Sequence, residues 1–195
     1  MKTKLKTAPT DKPISRKEAK EHCRIILGNT DEDDYIDSLI DVAVARVEQF
    51  TRRRLITQTW YYYLNDWPCS DRIPMPYGNL QTVSSVKYTD SDGDQSTWTS
   101  SYYISDTDTD PGSIVLAYGE TWPTATLYPS NPIEIEFICG YGDDDTDVPE
   151  PIRQAIKLHV SDLYENRESV TLGTIVHKSN AIESLLWPYI LRGVF

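Results

Sequence analysis

The stretch Asp31-Glu-Asp-Asp-Tyr-Ile-Asp-Ser-Leu-Ile-Asp-Val-Ala-Val-Ala-Arg-Val-Glu-Gln-Phe50 runs through Thr-Arg-Arg-Arg54 into Leu-Ile-Thr-Gln-Thr-Trp-Tyr-Tyr-Tyr-Leu64. It holds two different patterns joined at a run of arginines. Ile36, Leu39, Ile40, Ala43, Val44, Val47 and Phe50 recur at the three- and four-residue spacing of one buried helical face. Asp31, Glu32, Asp33 and Asp34 stand at its start, where the positive end of the helix dipole favours acids. The spacing predicts a helix over 31–52, closed by Arg52, Arg53 and Arg54 as cations at the negative end. From Thr57 to Leu64 the residues turn β-branched and aromatic, which predicts a strand.

On the N-terminal side, Ser15-Arg-Lys-Glu18 forms a capping box, with Ser15 and Glu18 each able to satisfy the other's backbone N–H. A helix is expected over 15–26, with Ala19, Cys23 and Ile26 inward and Gly28-Asn29 ending it. Residues 1–13 carry Lys2, Lys4, Lys6 and Lys12 and are expected to be an extended basic arm, since Pro9 and Pro13 oppose helix. On the C-terminal side, Gln81–Tyr88, Gln95–Thr99, Tyr102–Ser105, Ser113–Leu116 and Ile133–Cys139 read as strands. Asp92-Gly93 marks a hairpin turn between the first two. Ile133, Ile135 and Phe137 alternate with Glu134 and Glu136, so that strand has one wet face. Pro149 and Pro151 open a third long helix, expected over 150–168, with Ile152, Ala155, Ile156, Val160 and Leu163 on one face and His159 on or beside it. Ile36, Leu39, Ile40, Val44, Val47, Ile152, Ile156 and Leu163 are expected in the core. A short helix is expected from Asn180 to Trp187, stopped by Pro188.

The fold class expected is α+β. A small helical bundle (helices near 15–26, 31–52 and 150–168) carries a β-rich insertion between its second and third long helices and ends in a C-terminal tail. The expected organisation is a basic arm over 1–13, one domain over 14–168 and a tail over 169–195. Within the domain, 14–55 and 148–168 form the helical core and 56–142 the β-rich insertion.

Composition limits the function. The chain has 195 residues and a formal charge of −11, so it does not coat nucleic acid by neutralising phosphates. Cys23, Cys69 and Cys139 are three and far apart, which is not a disulfide framework. No apolar run approaches the roughly 20 residues of a membrane span, and no apolar segment follows the basic start as in a secretory signal. A soluble cytosolic product is expected. Asp90-Ser-Asp-Gly-Asp94 fails as an EF-hand, because Gln95 and Ser101 stand where glycine and the bidentate acid are needed. Asp106, Asp108 and Asp110 read as a polar loop, and Asp143 to Asp147 as acids before a helix. His22, His159 and His177 make no metal-ligand spacing with a cysteine or another histidine. No nucleophile elbow, phosphate loop or dinucleotide fingerprint is present. Catalytic residues, metal and cofactors are therefore expected to be none. Thirteen Tyr and five Trp stand against three Phe. Tyr61, Tyr62 and Tyr63 must face both sides of their strand, so both faces are covered or one lies in an interface.

Several stretches together resemble the head-to-tail connector proteins of tailed bacteriophages, also called adaptor or head-completion proteins. They are Ile14-Ser-Arg-Lys-Glu-Ala-Lys-Glu-His-Cys-Arg24, Ile36–Thr51, Arg53-Arg54-Leu-Ile-Thr-Gln-Thr-Trp60, Phe137-Ile-Cys-Gly-Tyr-Gly142, Val148-Pro-Glu-Pro-Ile-Arg-Gln-Ala-Ile156 and Leu163-Tyr-Glu-Asn-Arg-Glu168. The resemblance implies a non-catalytic virion protein at the head–tail junction, made in the host cytoplasm. It implies a homo-oligomeric ring of about a dozen copies beneath the portal protein. That ring continues the DNA channel toward a tail or stopper protein and binds neither membrane nor DNA sequence. Candidate ring contacts are Arg52, Arg53, Arg54, Tyr61, Tyr62 and Tyr63. The tail carries Leu172, Ile175, Val176, Leu185, Leu186, Trp187, Tyr189 and Phe195. Leu186, Trp187 and Tyr189 are its candidates for docking on the portal. The alternative reading is a carbohydrate- or receptor-binding β module of a phage particle, drawn from the Tyr and Trp content and the acidic β loops. A carboxylate-dependent hydrolase is a further rival.

Overall fold

The computed structural model describes residues 2–167 and 180–192, an α+β chain of two compact units. One comprises residues 1–10, 52–143 and 191–195, and the other 11–51 and 144–190. The parts of the tail at Leu172, Ile175, Val176 and Phe195, and the helix end at Glu168, lie outside the described residues.

The helical unit holds α1 (Arg16–His22), α2 (Asp33–Thr51), α3 (Glu150–Glu165) and α4 (Asn180–Leu186). Its core is Ile14, Ala19, Ile36, Leu39, Ile40, Ala43, Val47, Val148, Ile152, Ala155, Ile156, Val160 and Leu186. Each large side chain buried there contributes roughly 1.5–3 kcal/mol of transfer free energy. Val44 and Leu163, expected in this core, are partly buried at its margin. Phe50 is 38% exposed, because the helix face has rotated off the core by its last turn. The Ser15 capping box is formed in both directions. α1 is shorter than expected: it ends at His22, and Arg24 turns left-handed at φ 58°. Ile26, expected inward, is 79% exposed as a result.

Charges tie this unit together. Arg153 on α3 donates from Nε to the Pro13 carbonyl at 3.0 Å. Its Nη2 donates to Glu18 at 2.7 Å and Asp145 at 3.2 Å, and its Nη1 to Glu150 at 3.1 Å. Arg16 holds Asp33 and Asp37, and the buried Lys20 holds Asp33 and the Asn29 carbonyl.

The β unit is a two-sheet sandwich. Its strands are β1 (Lys2–Thr7), β2 (Gln58–Leu64), β3 (Arg72–Pro74), β4 (Leu80–Thr89), β5 (Gln95–Trp98), β6 (Tyr103–Asp106), β7 (Ser113–Leu116) and β8 (Ile133–Cys139). One sheet has the order β1-β2-β8-β4-β5 and the other β3-β7-β6, all pairs antiparallel. Tyr62, Val86, Trp98, Ile133, Ile135, Phe137 and Cys139 from the larger sheet meet Ile73, Met75, Tyr103 and Ile114 in one core. Lys2–Thr7, expected as an arm, is extended and is an edge strand, paired Lys2 to Tyr63 and Lys4 to Tyr61. β3 is the other strand that sequence patterning passes over.

Candidate assembly surfaces

The arginine triplet begins where α2 ends. The last turn of α2 holds no cation, and Arg52 takes the left-handed φ of 56° just beyond Thr51. The expected charge complement of the helix end is therefore replaced by a different use of these residues. The Arg52 carbonyl accepts from Gly78 N–H at 3.2 Å, and Arg53 bridges Gly78 in parallel. Arg53 is 7% exposed; it donates to Asn79 Oδ1 at 2.6 Å and forms an ion pair with Asp110. Arg54 lies between two rings, 4.0 Å from the Tyr77 centroid and 4.5 Å from that of Trp60. Arg52 alone of the three is exposed.

The tyrosine triplet splits by strand alternation. Tyr62 is 1% exposed, in the sandwich core. Tyr61 and Tyr63 share the opposite face, ring centroids 6.1 Å apart. Opposite them stand Glu136 and Glu134 on β8, and Lys4 and Lys2 on β1. Lys6 Nζ sits 2.7 Å from Glu136 and 5.3 Å from the Tyr61 ring centroid. Burial, with Glu134 beside it, pushes the Tyr63 phenol above its ordinary value. This face thus carries rows of lysine, tyrosine and glutamate in successive strands. The alternation of Lys2-Thr-Lys-Leu-Lys-Thr7 is the sequence signal that could have revealed its first row.

In the C-terminal segment, Leu186 is buried at 2% exposure and Trp187 is 60% exposed. Tyr189 is partly buried in the 3-10 turn Trp187–Tyr189.

The acidic loops have partners of their own. Asp90 accepts from the N–H groups of Asp92 and Asp94, both at 3.0 Å, and shapes the β4–β5 turn. Asp106 accepts from the Thr109 hydroxyl at 3.0 Å and lies 3.7 Å from Arg72. Asp144 and Asp147 cap a 3-10 turn before α3, and Asp145 pairs with Arg153. Among the described residues no group of three or more His, Cys, Asp or Glu is placed to hold a metal ion. His159 is partly buried on α3, and burial together with Arg46 pushes its imidazole below the ordinary value. Most of the tryptophans are occupied by each other: Trp67 stacks on Trp122 at 5.2 Å, and Trp98 lies 5.2 Å from Trp122 and 5.6 Å from Trp67.

With this geometry in hand, comparisons place the fold. Residues 14–110 match the family model described as Phage gp6-like head-tail connector protein, as the resemblance in the sequence implied. No curated protein matches the sequence. The neck of an empty gene transfer agent (GTA) particle, computed with C6 symmetry, contains a chain of TM-score 0.83 at 22% identity. That likeness covers 100% of this chain and 98% of the other. A chain in the virion of the native gene transfer agent particle scores 0.82 at 21% identity, with the same coverage of both. One in the native GTA neck, computed with C12 symmetry, scores 0.81 at 20% identity, again over 100% and 98%. At these identities the likeness is one of fold.

Proposed function

We propose, from the chain's membership of the Phage gp6-like head-tail connector family over residues 14–110, that it forms a ring of about a dozen copies at the neck of a phage-like particle. A structural connector role is what the family supports. The observation that carries the finer reading is the likeness of fold over the whole chain to neck subunits from particles computed with C6 and C12 symmetry. On this reading the ring sits beneath the portal protein in the virion, extends the DNA channel and receives a tail or stopper protein. The subunit does no chemistry. Acidic side chains facing the channel repel phosphate and let DNA slide through.

Arg52, Tyr61 and Tyr63 are exposed or partly exposed and remain the candidates for contact between copies, while Arg54 lies over Trp60 and Tyr77 on the other side of β2 from Tyr61 and Tyr63. Arg53 and Tyr62 are buried and are the weaker candidates for such contact. Trp187, exposed beside the buried Leu186, is the anchor by which the C-terminal segment docks on the portal, with Tyr189 at its flank.

The test is the mass of the full chain by native mass spectrometry, alone and mixed with the portal protein. A multi-copy ring in either condition is expected. A monomer in both, binding a glycan or calcium instead, would replace the connector by the carbohydrate- or receptor-binding module.

A further inference from the structure

The larger sheet has two open edges of opposite charge. Among the described residues β1 pairs only with β2, and β5 only with β4. Five of the six β1 residues are exposed, as are Gln95, Ser96 and Thr97 of β5, so both edges offer backbone N–H and C=O groups to a further strand. β1 bears Lys2, Lys4 and Lys6 and no acid, whereas the β4–β5 turn bears Asp90, Asp92 and Asp94 and no cation. Strands about 4.8 Å apart put these edges roughly 19 Å from each other. That exceeds the screening length of about 8 Å at physiological salt, so the edges do not neutralise each other within one chain. Lys6 is engaged with Glu136. Lys2, Lys4, Asp92 and Asp94 form no ion pair among the described residues. The hydrogen bonds from Asp92 and Asp94 N–H to Asp90 hold the acidic turn in shape.

We propose that these edges dock head to tail. β1 of one copy lies along β5 and the acidic turn of the next, so the sheet continues from copy to copy. The occupant follows from charge: two β1 edges bring lysines against lysines, two β5 edges bring acids against acids, and only unlike edges attract. A contact between unlike edges is heterologous, the kind that generates a ring or a helical array. This rests on the ring reading above and names the contact that would build it.

Carbodiimide cross-linking of a mixture of unlabelled and 15N-labelled full-length chains tests it. The reagent joins a lysine amine to an aspartate carboxylate as an amide and takes up the water released. Isotopically mixed peptides linking Lys2 or Lys4 to Asp92 or Asp94 are expected. Reversing one edge (Lys2→Glu with Lys4→Glu) or the other (Asp92→Lys with Asp94→Lys) removes one reacting partner, so the reading in these variants is assembly: the ring population in native mass spectrometry should fall about tenfold. Combining both reversals in one chain should restore the linkage. The substituted positions are exposed, and circular dichroism checks that each variant is folded. A ring mass that persists unchanged in the single-edge variants, with intermolecular links elsewhere, overturns edge docking and leaves the connector reading standing. A chain that stays monomeric with and without the portal protein overturns both.

Discussion

A Cβ at Gly140 would stand 2.6 Å from Thr57 N and 2.7 Å from Thr57 Cα, at a φ of +145°. Backbone cannot yield as a flexible side chain does, so Gly140→Ala must push apart the entry to β2 and the end of β8. We expect a loss of about 3 kcal/mol in urea unfolding; a loss under about 1 kcal/mol would refute the close approach of these two strand ends as the reason for glycine here. Arg53 acts at the same scale. Its guanidinium joins Asn79 and Asp110 and packs over Gly78, where a Cβ would meet Arg53 Nη1 at 2.7 Å. Arg53→Ala strands these partners and should cost about 2 kcal/mol, discounted because the Asp110 side chain is 49% exposed. An Arg53→Lys variant should recover less than half, since one ammonium cannot span both partners.

Among the elements, α1 is short and depends on its cap and its ion pairs. Ser15→Ala removes one half of the capping box and should cost about 1 kcal/mol in chemical denaturation. Acid should act on the same element. Burial pushes the Glu18 carboxyl up, but hydrogen bonds from the Ser15 backbone and hydroxyl, with the charges of Arg153 and Lys157, outweigh it and leave it below its ordinary 4.5. Lys20 and Arg16 hold Asp33, and Arg16 holds Asp37, below their ordinary 3.8. Because these groups are depressed in the fold, the unfolded chain binds protons first. Their stabilisation is complete above the ordinary values and fades as pH falls through and below them. His159, held below its ordinary 6.5 by burial and Arg46, should lower the urea midpoint modestly as pH falls from 7 toward 5, and the three carboxylates should add a steeper drop between about pH 4.5 and 2. In Arg16→Ala the part of that drop due to Asp33 and Asp37 should shrink, and an unchanged acid limb would refute the assignment.

For the whole molecule the question is which surfaces serve the fold and which serve other chains. Trp187 is 60% exposed, so Trp187→Ala should change stability by less than about 0.5 kcal/mol. If the C-terminal segment docks on the portal, the same change should weaken portal binding at least about tenfold in a titration. Unchanged binding would remove Trp187 from the docking surface. The contrast with Leu186, buried at 2% exposure, makes the pair informative: Leu186→Ala should destabilise the helical unit itself by about 2–4 kcal/mol.

The elements read directly from the residues are those whose signal is local. The stripe from Ile36 to Val47 and the alternation of Ile133, Ile135, Phe137 and Cys139 announce their own buried faces, and both are buried as patterned except for Val44 at the margin. Ser15 and Glu18 lie three residues apart and need nothing else to form a cap. The remainder depended on partners distant in the chain. Lys2–Thr7 has no buried side chain to mark it and is a strand because β2 offers it hydrogen bonds some 55 residues later. Arg53 resembles a helix-end cation until Asp110, 57 residues away, reaches it. The Tyr61–Tyr63 run said that two faces were in use, and only the second sheet settled that Tyr62 belongs to the core. Local periodicity governs which segments form and what they bury. Which charges are consumed within the chain and which are left for a neighbour follows from long-range pairing, and a one-dimensional pattern carries no record of that.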